Sequence, residues 1–119
     1  MRKEQEIIDS VIHHAPLEMQ GMLTSVYRYR SSLLLMRQEK LLERILFAFS
    51  KVDRKFFTDH EDPYADIALH IGKGQTISQP STVAAMLLYA NIQEQDDVLE
   101  VGAGSGWNAA LLSFLSYPG

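Results

Sequence analysis

Cysteine is missing from all 119 residues, so neither a disulfide framework nor a thiolate metal site can form, and a reducing compartment is the natural setting. Basic charge is also scarce. Eleven lysines and arginines stand against 15 aspartates and glutamates, for a net charge of −4. A general nucleic-acid binder needs a basic face for the phosphates, so that class is set aside. Long apolar runs are lacking as well: the aliphatic stretch "LLLM" at 33–36 is far short of the ~20 residues that span a bilayer. The opening "MRKEQEIIDS" is charged and has no signal-peptide core. Repeats and low-complexity tracts are absent. The expectation is a cytoplasmic protein with no nucleic-acid partner and no membrane partner, long enough for one core.

What is present divides into two halves, 1–57 and 58–119. In the first, apolar residues recur at helical spacing. Ile7, Ile8, Val11 and Ile12 form one stripe, which Pro16 interrupts. Met19, Met22, Leu23 and Val26 form a second, and Leu41, Leu42, Ile45, Leu46 and Phe49 a third. A break falls near Ser31 and Ser32. In the second half, "HEDPY" marks a loop, and 66–78 reads as two extended pieces around a Gly-Lys-Gly turn. Residues 79–90 predict a helix with Pro80 in its first turn, a Ser or Thr cap, and Val83, Met86, Leu87 and Ala90 on one face. "VLEV" at 98–101 predicts a strand buried in a parallel sheet, and a helix follows from Trp107 to Leu115, its apolar face carrying Ala109, Leu112 and Leu115.

Of seven glycines, three stand at alternate positions, 102, 104 and 106, just after Glu100. A strand, a glycine turn and a helix make a binding arrangement for a phosphate or cofactor. The phosphate loop requires Gly-Lys-Ser/Thr, where this chain has Gly106-Trp107-Asn108. The dinucleotide fingerprint requires a third glycine where Trp107 stands. The acid-x-Gly-x-Gly-x-Gly pattern is filled without a gap, by Glu100, Gly102, Gly104 and Gly106. A tight turn in any doubly wound domain would use the same residues.

That spacing resembles the first motif of class I methyltransferases that use S-adenosylmethionine. It is joined by "VDRKFF" (52–57) and "PYADIALHIGKGQTISQPSTVAAM" (63–86), and the three together resemble the protein-L-isoaspartate O-methyltransferase family over roughly residues 40–119. The resemblance implies an α/β fold: N-terminal helices, then the first strand–Gly-loop–helix unit of a Rossmann-like methyltransferase domain, here truncated. It implies protein repair, by methyl transfer to the carboxylate of L-isoaspartyl residues in damaged proteins and peptides. It further implies a substrate segment at 64–80 and a cofactor motif at 98–106. Ser78 would meet the isoaspartyl carboxylate, with Gln75, Thr76 and Ile77 along the substrate backbone. Glu100, Gly102, Ala103, Gly104, Ser105 and Gly106 would hold S-adenosylmethionine. The substrate carboxylate is already ionised at neutral pH, so neither a general base nor a metal is required.

Other features carry less. His13-His14 and the acidic "TDHEDPY" (58–64) lack ligand spacing for a metal. "YRYR" (27–30) suits the rim of a helix packing face, and Trp107 either a packing or a cofactor-wall aromatic. Because the second strand of such a domain would begin after Gly119, the chain reads as an N-terminal part or short form, inactive alone and self-associating. A non-catalytic helical interaction or oligomerisation module derived from the same family is the alternative.

Overall fold

A computed structural model describes residues 2–31, 39–72, 75–100 and 104–116. The three helical stripes become α1 (Arg2–Ser10), α2 (Leu17–Ser31) and α3 (Glu39–Lys51). Pro16 acts as expected, closing a short 3-10 turn at Ile12–His14 before α2 begins. Each stripe goes inward: Met19, Leu23 and Val26 of α2 and Ile45, Leu46 and Phe49 of α3 are fully buried. α3 places Glu39 in its first turn and Lys51 in its last, both favourable to the helix dipole.

Between α3 and the rest lies a 3-10 turn, Arg54–Phe57. The two extended pieces form an antiparallel hairpin of β1 (Leu69–Gly72) and β2 (Gln75–Ile77). Its faces alternate as a pleat requires. Leu69 and its cross-strand partner Ile77 are buried, whereas His70 and its partner Thr76 are exposed. α4 (Pro80–Ala90) and α5 (Trp107–Ser116) complete the set. α3 packs against α2, α4 and α5 and lies at the centre of the core.

Four expectations are corrected. α4 has no Ser or Thr cap. Its N-cap is Gln79 without a side-chain bond, and the carboxylate of Asp66 accepts instead from the Ser81 amide at 2.8 Å. The buried face of α4 is Val83, Ala84, Leu87 and Leu88, because both α2 and α3 press on it. Met86 and Ala90 are exposed. Likewise α5 buries Trp107, Leu111 and Leu115, with Ala109 and Leu112 only half-buried. Finally, residues 98–100 are not a strand. A strand exists only by its ladder, and among the described residues the two strands present pair with each other. The overall composition is therefore mostly helical with a small two-stranded sheet. Among the described residues, no helix is long and apolar enough to cross a membrane.

Candidate active site

The turn before α5 is built for close approach. Gly104 has φ +56° and Gly106 φ +90°, both left-handed conformations that side chains strain against. Among the described residues, a Cβ at Gly104 would meet nothing within 4 Å, so the backbone there is open to a close approach. Ser105 Oγ accepts from the Trp107 amide at 3.2 Å and opens the helix. Gly102 and Ala103, expected in the same turn, lie outside the described residues.

This turn forms one wall of a cleft of about 430 Å³, within the range of small-molecule sites. Glu100, Gly104, Ser105 and Asn108 line it together with Thr76, Ile77 and Ser78. Val98, Leu99, Met86 and Ala90 border it with apolar surface, which accounts for the outward face of α4. Thr76 and Ser78 are exposed toward solvent, whereas Ile77 is anchored in the core. Gln75 is in β2, and its backbone pairs with Gly72. Glu100 Oε2 accepts from Asn108 Nδ2. Its Oε1 is buried and, among the described residues, has no hydrogen-bond partner. A buried carboxylate oxygen left unmatched is costly, and a cationic donor entering the cleft would satisfy it.

The stretch 52–57 converges on the same turn. The Trp107 indole N–H donates to the Val52 carbonyl at 3.2 Å, and the ring packs against Phe49 with centroids 5.1 Å apart. A Cβ on Gly106 would lie 3.8 Å from the Phe57 ring. Arg54, fully buried, has its guanidinium 5.2 Å from the Trp107 ring centroid. Trp107 is 1% exposed, so packing is its main role even though it contributes to the cleft wall. Sequence reasoning gave Arg54 no role of its own. The signal was a charged residue at the end of an apolar helix, but its partners are scattered over later segments.

Burial pushes the Arg54 pKa down from its ordinary value to about 10, while Asp66 and Asp62 pull it up, so it stays charged at neutral pH. Nearby, Tyr64 donates to Asp53 Oδ1 at 2.7 Å. Burial, and then this bond beside the Asp53 charge, raises the Tyr64 pKa above its ordinary 10.0. The neutral phenol is thus favoured by folding; its contribution is complete below pH 10.0 and is lost as the pH rises further. Tyr64→Phe is expected to cost about 1 kcal/mol at neutral pH. In urea titrations that gap between the two proteins should close above pH 10; a constant gap would contradict the assignment.

The remaining motifs are quieter. His13 is exposed and 3.7 Å from Asp9. In the acidic loop, His60 Nδ1 accepts from the Asp62 amide. Arg30 lies over Tyr29 and donates to the Ser81 carbonyl at 2.7 Å, as the rim of a packing face would.

Comparison with known proteins gives a consistent result. Residues 31–116 match the family model described as protein-L-isoaspartate(D-aspartate) O-methyltransferase. Among curated proteins, the chain is similar to a "Protein-L-isoaspartate O-methyltransferase" of Fervidobacterium nodosum, 49% identical over 75 residues, which is 60% of this chain and 38% of that protein. A protein of the same name from Protochlamydia amoebophila is 51% identical over 76 residues, 61% of this chain and 36% of the relative. One from Jannaschia sp. is 47% identical over 85 residues, 68% of this chain and 38% of the relative. The chain thus spans well under half the length of these relatives.

Proposed function

The chain belongs to the protein-L-isoaspartate(D-aspartate) O-methyltransferase family, and from that membership we propose that it carries the substrate segment and the first cofactor motif of a repair methyltransferase. The reaction moves a methyl group to the carboxylate of L-isoaspartyl residues in damaged proteins. The finer fold reading follows: the helices lead into the first strand–Gly-loop–helix unit of a Rossmann-like domain, with 98–100 becoming a strand when neighbours pair with it.

One observation carries the reading. Thr76, Ile77 and Ser78 share a single cleft with Glu100, Gly104 and Ser105, although the two groups come from separate segments. The cleft suits S-adenosylmethionine. The buried, unmatched Glu100 oxygen offers an acceptor to an ammonium, and the open side of Gly104 leaves room for a ligand against the backbone. Amides at the start of α5 favour a carboxylate. When bound, the cofactor supplies a methyl on a sulfonium, which a carboxylate oxygen takes in line while the carbon–sulfur electron pair stays on sulfur.

What the chain's own residues do is align and exclude water. Among the described residues, the lining of the cleft includes no histidine and no lysine. None is needed, because a carboxylic acid with a reference pKa near ~4 is already ionised. Ser78 donates its hydroxyl proton to one carboxylate oxygen and leaves the other to react. The methyl ester then cyclises with the backbone nitrogen to a succinimide, releasing methanol, and water opens that ring to return part of the material to normal aspartate.

The test uses a chimera in which the Fervidobacterium nodosum relative supplies the chain beyond α5. Ser78→Ala in this chimera is expected to lower kcat/KM for an isoaspartyl peptide ten- to a hundredfold, about the 1.5–3 kcal/mol of a hydrogen bond to a charged group. Cofactor affinity should stay within about twofold of wild type, since Ser78 belongs to the substrate segment and not to the glycine turn. Wild-type turnover in the variant would remove Ser78 from the substrate site.

A further inference from the structure

Arg54 is a buried cation whose hydrogen bonds, among the described residues, go to backbone carbonyls. Nη1 donates to Pro63 at 2.8 Å and Ala65 at 3.0 Å. Nη2 donates to Ile67 at 3.0 Å and to Ser78 at 2.9 Å. The face of the same guanidinium lies against Trp107, the first residue of α5. Its Nε–H is buried and, among the described residues, without a partner.

A cation taken out of water is costly, and neutral carbonyls return only part of that. A fold in need of simple filling at this point would do better with a leucine or methionine. What only a guanidinium offers is a rigid fork, with four Nη protons in one plane and a flat face perpendicular to them. Here the fork collects three alternate carbonyls of the 63–67 loop together with the carbonyl of Ser78. The flat face meets the helix that begins at the glycine turn. The two walls of the cleft therefore meet on one side chain.

We propose that Arg54 is a positioning residue that holds Ser78 in register with the glycine turn, so that the carboxylate and the methyl donor are kept at reacting distance. This rests on the function proposed above. The neighbouring contacts agree with it. Asp66, in the loop that Arg54 gathers, accepts from the Ser81 amide, and Val52, two residues before Arg54, accepts from the Trp107 indole. The loop, the substrate segment and α5 are thereby tied to a single short stretch.

Arg54→Lys keeps the charge and loses the fork. In the chimera, kcat for an isoaspartyl peptide should fall by about a hundredfold, the scale of an ångström-sized misplacement of reacting groups. The Kd of S-adenosylmethionine should change by less than about threefold. A double-mutant cycle with Ser78→Ala separates positioning from mere stabilisation. If Arg54 acts through Ser78, Arg54→Lys costs at most about threefold once Ser78 is alanine, because the group it positions is gone. Costs that multiply independently would overturn the proposal. If Arg54→Lys does not fold, Trp107→Phe, which keeps a ring and drops the indole N–H, is placed in the same cycle and judged in the same way. Absence of transfer by the wild-type chimera would overturn the functional reading itself, a result distinct from an active wild type with an additive cycle.

Discussion

Gly104→Val in the chimera is expected to weaken S-adenosylmethionine binding by about a hundredfold. Two effects act together. At φ +56° a β-branched residue is a conformational outlier, and holding it there costs about 1–3 kcal/mol. The new side chain also points into space that is empty of protein within 4 Å, along the wall where the ligand is to lie. Asparagine separates the two, since it tolerates the left-handed region yet still fills the cleft. Gly104→Asn should fold as well as wild type and bind poorly, whereas Gly104→Val should lose both stability and affinity. Calorimetric titration gives the affinity and urea unfolding the stability. Wild-type affinity in both variants would take Gly104 out of the cofactor site.

The 119-residue chain by itself is expected to show no measurable methyl transfer and to self-associate. Leu99 is 90% exposed and Met86 64%, and both line the cleft. Val98 extends the same surface. Apolar surface of this kind favours association, and the backbone at 98–100, which is in no ladder among the described residues, offers a strand edge for it. Sedimentation velocity should show dimers or larger species at micromolar concentration. Leu99→Lys should shift them toward monomer, because a charge at the centre of the patch cannot be desolvated cheaply. A monodisperse monomer that methylates isoaspartyl peptide would show that these residues suffice alone.

Much of the helical layout was legible because it rests on local pattern. Each stripe of apolar residues at spacings of three and four became a buried face, and Pro16 ended one helix just before the next. The hairpin was legible too, from a glycine turn between two short alternating pieces. Elements that depend on distant partners were not. Nothing near Pro80 says that Asp66 caps α4, and nothing near residue 54 says that an arginine can enter the core. Its acceptors are carbonyls at 63, 65, 67 and 78, brought together only by the folded chain. Residues 98–100 show the reverse failure. Their apolar run has the composition of a buried strand, yet a strand needs a ladder that the described residues do not supply. The site followed the same division. The family resemblance nominated Ser78 and motif spacing the glycine turn, but their meeting in one cleft, and the buried oxygen of Glu100 that has no partner among the described residues, are tertiary facts.

The central claim is that this cleft serves methyl transfer to isoaspartate. It is tested most directly by incubating the chimera with methyl-labelled S-adenosylmethionine and two peptides that differ only in one residue, L-isoaspartyl in one and L-aspartyl in the other. The account predicts base-labile label on the isoaspartyl peptide and none above background on its aspartyl twin. Equal labelling of both peptides, or of neither, would contradict it.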